Sequence, residues 1–229
     1  MLREHAPLEL SSFMLYLASH DGAENGEFPS LTELSGELGV SVASLREQLE
    51  VARALGLVEV KPRVGIRRLP FTFLPAIRQS LGYGIALDGK NFRLFADLRK
   101  HTEIAYWYEA VKLLTEDDLS QLQEIIAQAW TKLKGSPVQI PHEEHKQLHL
   151  MIYKRLDNPF VTGILEAYWE AYEAIGLNVF TDYNHLTEVW NFHEKMVNSI
   201  QSKNYDKGYK ALSEHTDMLS EMLDLQPVK

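Results

Sequence analysis

Apolar residues at helical spacing dominate the chain from about residue 88 to residue 223. They recur three or four positions apart in nearly every segment, and the strand-like alternation of apolar and polar residues is absent there. Helix-start signals, such as Thr115 before an acidic turn and Asn158 before a proline, divide this stretch. The spacing predicts helices near residues 90–112, 116–134, 141–155, 159–176, 184–202 and 206–223. Successive helices with facing apolar stripes predict an all-helical bundle.

The first 69 residues show a different order of elements. A helix is predicted near 8–19, followed by a loop at 20–29 that is rich in Gly, Asn and Asp. Ser30 and Ser41 then stand where helix N-caps are expected, and the second of these helices would end at Gly56. Two short alternating strands follow it. The order helix, helix, tight turn, helix and two-stranded wing predicts a winged helix-turn-helix.

The chain is therefore predicted to be mainly α, with an N-terminal winged helix-turn-helix and a C-terminal all-helical bundle. A stretch with several prolines and glycines separates the two parts. The predicted boundaries are a DNA-binding domain at 1–69, a linker at 70–87 and a helical domain at 88–229.

A helix-turn-helix presents the first residues of its second helix to the major groove of DNA. In this chain those residues include Ser41, Ser44 and Arg46. The wing would place Lys61, Arg63 and Arg67 along the phosphates. A winged domain that contacts only other proteins would show the same elements, so that alternative stays open.

The charge of the chain favours DNA contact in one stretch alone. The net charge is −9, whereas affinity for phosphate requires Lys and Arg. Residues 1–69 hold seven basic and ten acidic residues, a net charge of −3. Six of these seven basic residues lie between Arg46 and Arg68. The predicted DNA-reading helix and wing therefore form a local basic stretch in an acidic protein.

Composition also limits the compartment and the metal chemistry. No apolar run approaches the roughly 18 residues that span a bilayer, and the first residues lack the apolar core of a secretory signal. We therefore expect a cytoplasmic protein without a membrane partner. The chain has no cysteine, which excludes disulfides and thiolate zinc sites. Any metal site must use His, Asp or Glu.

Four histidines of the helical part are spaced so that they could meet. His145 and His149 are four residues apart and project from one helix face. His193 and His215 flank a predicted turn at nearly equal distances, about 16 Å along each helix at 1.5 Å per residue. The four imidazoles could converge on a metal such as Zn, Ni, Cu or Fe. Histidines placed individually in the core or on the surface are the alternative interpretation.

Two sets of motifs resemble known bacterial transcription regulators. Residues 28–68 resemble the DNA-binding domain of the GntR family, in the Leu-x-x-x-Leu-Gly-Val-Ser turn at 34–41, in the Leu-Arg-Glu at 45–47 and in Gly65 of the wing. The helical part resembles the FCD domain, the effector-binding domain of FadR-type GntR regulators. The motifs that carry this second resemblance are Phe95 to Arg99 with Glu103, Leu148-His149 before Asn158-Pro159, Phe192-His193-Glu194 and Glu214-His215.

The FCD resemblance implies a metal bound by His145, His149, His193 and His215. Many members have Asp where this chain has His145, and imidazole in place of carboxylate favours zinc or nickel as the divalent transition metal. The resemblance also implies a small carboxylate effector that coordinates the metal, with Arg99 as a candidate residue to pair with it. A salt bridge on the surface or between helices is the alternative role for Arg99.

The GntR resemblance implies a homodimer bound to double-stranded operator DNA, with repression as the expected mode. It assigns Arg46 to DNA contact and Gly65 to the close approach of the wing tip to the minor groove. The chain departs from the family at Thr32 and Val42, where arginine is common. An arginine bidentate to guanine contributes about 1–3 kcal/mol of discrimination, so these departures predict weaker binding or an unusual operator.

Two rival functions remain at this point. One is a relative that has lost DNA reading and acts through protein contacts, which the departures at Thr32 and Val42 would explain. The other is a His-ligated metalloenzyme. Glu144 is the obvious general base near the histidines, but it lies one residue from His145 and so points away from the ligand face. The sequence therefore predicts that the chain is not an enzyme.

Overall fold

The computed structural model describes residues 10–21, 27–62, 65–176 and 182–225. These residues form α1 (Ser12–Ser19), β1 (Glu27–Phe28), α2 (Leu31–Leu38), α3 (Val42–Ala54), β2 (Val58–Lys61), β3 (Gly65–Arg68), α4 (Leu74–Leu87), α5 (Lys90–Leu113), α6 (Glu116–Leu133), α7 (His142–Tyr153), α8 (Pro159–Ala174), α9 (Tyr183–Gln201) and α10 (Tyr205–Leu225). None of the described helices is long and apolar enough to cross a membrane.

The chain divides into two compact units, Met1–Ala76 and Ile77–Lys229. Helix α4 covers most of the stretch that the sequence predicts to be a linker. The boundaries at 69/70 and 87/88 stay predictions. The fold class is confirmed, because a winged helix-turn-helix precedes an all-helical bundle.

Side-chain caps begin the helices of the first unit at the predicted serines. The Ser30 amide donates to the Glu33 carboxylate at 2.8 Å, and the Ser30 hydroxyl accepts from the Glu33 amide, which completes the capping box of α2. The Ser41 hydroxyl caps α3 by accepting from the Ser44 amide at 3.2 Å. Gly56, with a φ of 68°, follows α3 in the left-handed conformation that favours glycine.

The wing contains one more strand than the sequence predicts. Strand β3 pairs antiparallel with β2 as expected, and its other edge pairs with β1, which gives the order β1-β3-β2. Strand β1 lies within the loop predicted at 20–29, so this part of the loop prediction is wrong. A two-residue strand is too short to show periodicity, and it forms because Phe28 is buried beside its register partner Ile66.

The second unit is a bundle in which α5 to α10 bury a common core. The observed ends of these helices differ from the predicted ends by two residues at most. Large side chains such as Trp107, Leu122, Leu148 and Trp190 are almost completely buried in this core. Helices α5, α7, α9 and α10 of this bundle carry the functional side chains described below.

Helices α5 and α10 approach each other closely. The Trp107 indole donates from Nε1 to the Tyr205 carbonyl at 3.0 Å. A Cβ atom built on Gly208 would lie 2.5 Å from Cζ2 of the Trp107 ring, so this position has room only for glycine. The contact holds the start of α10 against α5, the helix that carries Arg99 and Glu103.

Asp118 joins the start of α6 to the end of α7. Its carboxylate is 1% exposed and accepts from the Thr115 amide at 2.9 Å, from Arg155 Nε at 2.7 Å and from Lys154 Nζ at 2.5 Å. The hydrogen bonds from Arg155, supported by those from Lys154 and Thr115, hold the pKa of the Asp118 carboxyl well below its usual range.

We expect Asp118→Asn to lower the free energy of unfolding at pH 7 by about 2 kcal/mol, because the amide loses charge-assisted hydrogen bonds. The unfolded pKa is about 3.9, so the advantage of the carboxylate is complete well above that value and is lost as the pH falls toward the folded pKa. Urea unfolding of both proteins at pH 7 and pH 3 measures this. A difference in stability that is equally large at both pH values would contradict it.

Candidate metal centre

Four buried imidazoles from three helices meet inside the bundle. His145 and His149 come from α7, His193 from α9 and His215 from α10, and all four are buried. One ring nitrogen of each histidine lies within 4.8 Å of such a nitrogen in every other. Nε2 of His193 is 3.1 Å from Nε2 of His149 and 3.2 Å from Nε2 of His215. The structure thus brings the four predicted residues together, and their role as metal ligands stays a prediction.

Helix geometry explains the convergence. His145 and His149 stand one turn apart on the same face of α7. Helices α9 and α10 are consecutive and are separated by residues 202–204, so residues equally far from this turn lie at the same height. His193 lies 10 residues before the centre of this turn and His215 lies 12 residues after it, so their heights are similar, and their ring centroids are 4.4 Å apart. The spacing in the sequence therefore explains why the members of each pair lie side by side.

The donor set fits a divalent metal ion. Burial lowers the pKa of all four histidines well below the usual value, and the positive charges of neighbouring groups lower it further. Neutral imidazole is the form that binds metals. Three Nε2 atoms face one another, and Nε2 of His145 has no hydrogen-bond partner among the described residues. A cation bound by nitrogen lone pairs would satisfy these atoms together.

Helix α5 supplies a buried ion pair beside the cluster. Arg99 and Glu103 lie one turn apart with 3.0 Å between Nη2 and Oε1, and both are almost completely buried. Oε1 of Glu103 is 3.0 Å from Nδ1 of His149, on the ring edge opposite its Nε2. Burial raises the pKa of the Glu103 carboxyl, and the charge of Arg99 opposes this rise. The pair thus forms a polar layer behind His149.

Aromatic side chains of α8 cover this layer. The Arg99 guanidinium carbon lies 4.7 Å from the Tyr168 ring centroid and 5.5 Å from that of Trp169. The centroid of the Trp169 ring is also 4.7 Å from the centroid of the His145 ring. Its Nε1 is buried and has no hydrogen-bond partner within the described part of the chain. An unused indole donor therefore lies next to the histidines.

Comparison with protein families identifies the helical part. Residues 95–218, more than half of the chain, match the family model of the FCD domain. The chain belongs to the FCD domain family. The four histidines, Arg99 and Glu103 all lie inside the matched residues of the FCD domain. The predicted membership of the FadR-type GntR regulators is confirmed, and so is the prediction that the chain is not an enzyme, because this family consists of transcription regulators.

Solved structures share the fold over nearly the whole chain. A GntR protein of Streptococcus agalactiae is 17% identical, with a TM-score of 0.63 and 92% of this chain and 94% of that chain covered. McbR/YncC of E. coli is 19% identical, with a TM-score of 0.52 and 85% of each chain covered. Lar of Listeria monocytogenes, which controls expression of the agr system, is 15% identical, with a TM-score of 0.53 and 93% and 95% covered. Among curated proteins, none matches this chain.

The predicted DNA-binding residues differ in whether they already make ion pairs or hydrogen bonds within the protein. Arg46 is exposed on α3 and makes no ion pair with any described residue. Lys61 pairs with Glu59 at 2.9 Å, and Arg67 lies 3.6 Å from Glu27. The remaining predicted DNA contacts in the described residues are the Ser41 cap, Ser44, whose hydroxyl accepts from Gln48, and Gly65 at a φ of 88°. The predicted contact Arg63 lies outside the described residues.

Glu103 has no role among the predictions from the sequence, and the structure places it against His149. A signal for it was present, because Arg99 and Glu103 interrupt the buried stripe of α5 that also contains Phe92, Phe95 and Trp107. Charges on an apolar stripe indicate a buried polar site. Asn158 caps α8 by accepting from two backbone amides, as its position before a proline suggested. Glu144 pairs with Lys132 at 2.6 Å.

Proposed function

We propose that this FCD-family protein is a dimeric, ligand-responsive DNA-binding regulator, and that it acts as a repressor. Its helical domain would hold zinc or nickel and sense a small carboxylate, and its winged domain would bind operator DNA. The observation that carries this proposal is the buried cluster of four histidines inside the FCD domain.

The metal would be held by His145, His149, His193 and His215. Four neutral imidazoles leave the charge of a divalent ion uncompensated by any ligand, and an all-nitrogen donor set suits zinc or nickel better than manganese or magnesium. When bound, the ion would supply a Lewis-acidic anchor for an anion. The exclusion of water by the surrounding core strengthens such an electrostatic attraction.

A carboxylate effector is supported by the donors around the cluster. Arg99 presents a guanidinium, the side chain that binds carboxylates in bidentate fashion. Its Nε and Nε1 of Trp169 are buried without hydrogen-bond partners among the described residues. Buried donors without partners cost stability, so a bound anion that accepts from them would be favoured. Tyr168 lies against the face of the same guanidinium and limits where it can move.

Operator binding is assigned to α3 and the wing. Arg46 is the exposed and unpaired basic residue near the start of α3, the helix that enters the major groove in this fold. Lys61 and Arg67 would have to exchange Glu59 and Glu27 for phosphates. This exchange lowers the net gain from each contact, so we expect moderate affinity and a small number of effective phosphate contacts.

A homodimer is supported by two pairs of exposed apolar side chains, one pair on α4 and one on α5, with the members of each pair four residues apart. Tyr83, Leu87 and Leu94 are each 68–69% exposed, and Leu98 is 46% exposed. Large apolar side chains grouped on a surface indicate a protein interface. A second copy of the chain would pair two winged domains, which suits the two half-sites of a palindromic operator.

Fluorescence anisotropy of the purified protein on DNA from upstream of its own gene tests the proposal. We expect saturable binding that exceeds binding to random DNA and that weakens with salt, because bound phosphates release counterions. Zinc and small carboxylates would then be added to find the condition that releases the DNA.

Equal affinity for the upstream and random DNA at every salt concentration would contradict the proposal. The winged domain would then be a protein-contact module. Its paired basic residues, Lys61 and Arg67, are the observation that favours this second candidate.

A further inference from the structure

Two polar groups compete for one ring nitrogen, Nδ1 of His149. Oε1 of Glu103 is 3.0 Å from this nitrogen, and Nη2 of Arg99 is 2.8 Å from it. The same two side chains are 3.0 Å apart from each other. All three residues are almost completely buried, so water does not relieve a mismatch between them.

The two neighbours require opposite forms of the imidazole. A guanidinium has donors and no acceptor, so Arg99 can bond to Nδ1 only when Nδ1 carries a lone pair. A carboxylate accepts, so Glu103 can bond only when Nδ1 carries the proton. Neutral imidazole has one proton, which places it on Nε2 in the first case and on Nδ1 in the second. Both contacts to His149 cannot be hydrogen bonds at the same time.

Only one of these forms leaves Nε2 able to bind a metal. With the proton on Nδ1, Oε1 of Glu103 accepts from His149 and from Arg99 together, and the 2.8 Å contact between Nη2 of Arg99 and Nδ1 then joins two donors. With the proton on Nε2, the carboxylate oxygen faces a lone pair at 3.0 Å, which is repulsive. The carboxylate of Glu103 therefore favours the form in which Nε2 of His149 points its lone pair at the other histidines, and the guanidinium of Arg99 favours the opposite form.

We propose that Glu103 is a positioning residue that selects the Nδ1-protonated tautomer of His149 against Arg99, and so makes its Nε2 a metal ligand. The inference rests on the proposed metal site and deepens it. It assigns Glu103 an effect on metal affinity, and it assigns Arg99 the competing arrangement. Carboxylates that hold the second nitrogen of a ligating histidine are a general means of fixing its tautomer.

Zinc affinity of the Glu103→Gln variant, measured by competition with a chelating dye, gives the first test. We expect the dissociation constant to rise about 10- to 100-fold, the usual effect of losing such a partner. The glutamine amide has the same shape but can donate as well as accept, so it no longer selects one tautomer. Asp118→Asn is the matched control, because it also neutralises a buried carboxylate but lies away from the histidines, and its zinc affinity should be unchanged.

The tautomer itself distinguishes positioning from a simple loss of negative charge. Long-range ¹⁵N NMR of histidine-labelled protein reports which ring nitrogen carries the proton. Without metal, we expect His149 to be protonated on Nδ1 in the unaltered protein and on Nε2 in Glu103→Gln. The double variant Arg99→Met/Glu103→Gln replaces the buried pair by neutral groups, which keeps the fold testable if the single variant is unstable. Because Arg99 no longer favours the Nε2-protonated form, the share of His149 in that form should be lower than in Glu103→Gln.

These measurements distinguish a failure of the proposed metal site from a failure of the role proposed for Glu103. If the unaltered protein does not bind zinc or nickel, the proposed metal site is wrong and this inference falls with it. If the unaltered protein binds zinc and Glu103→Gln has the same affinity and the same His149 tautomer, the metal site stands and the role of Glu103 is overturned.

Discussion

The His193→Ala variant is expected to lose the whole zinc-dependent increase in thermal stability. His193 is at the centre of the cluster, because its Nε2 lies within 3.2 Å of Nε2 in both His149 and His215. A metal that binds only the folded state stabilises it by RT ln(1 + [L]/Kd), about 4 kcal/mol when free metal is 1,000 times Kd. For a chain of this size that corresponds to a shift of roughly 10 °C in the melting temperature.

Differential scanning calorimetry of each protein with zinc and with a chelator measures this shift. The substitution also opens a cavity in a buried site and destabilises the metal-free protein, so only the difference between the two conditions is interpreted. His101→Ala is the control, since His101 is an exposed histidine on α5 and its variant should keep the full shift. A zinc-dependent shift that survives in His193→Ala would show that the metal binds elsewhere.

Much of the site could be predicted because helices convert spacing into position. The i, i+4 spacing on α7 and the similar distances of His193 and His215 from their turn place the two members of each pair side by side, and the packing of α7 against α9 and α10 then brings the pairs together. The same regularity places the helix ends, since Ser30, Thr115 and Asn158 satisfy backbone amides that any helix start leaves free. Interactions between residues close in the sequence therefore determine the helix ends and the pairing of the histidines.

The parts that the sequence did not reveal depend on distant partners. Strand β1 exists because β3 offers an open edge, and two residues cannot show a period. Glu103 acquires its role from His149, 46 positions later, and Arg67 loses part of its role to Glu27, 40 positions earlier. Pairing of this kind is set by tertiary packing, which spacing along one element does not contain.

The second large effect is expected at the DNA-reading helix. Arg46→Ala should lower operator affinity by about 10- to 100-fold, because a bidentate arginine contributes about 1–3 kcal/mol to base discrimination. The chain has few substitutes, since Thr32 and Val42 stand where arginine is common in the family and Lys61 is paired with Glu59. Anisotropy titrations on operator DNA measure the loss, and sedimentation checks that the oligomeric state is unchanged.

Arg53→Ala provides the matched control for Arg46. Arg53 lies in the last turn of the same helix and pairs with Glu50 at 2.8 Å, so its loss should leave operator affinity nearly unchanged. The salt dependence then identifies the contact: a base contact lowers affinity for the operator and relaxes specificity, whereas a phosphate contact weakens all DNA equally and reduces the salt slope by about one. Operator affinity retained in Arg46→Ala would exclude α3 as the reading helix, because no other exposed basic side chain lies near the start of α3 in the described residues.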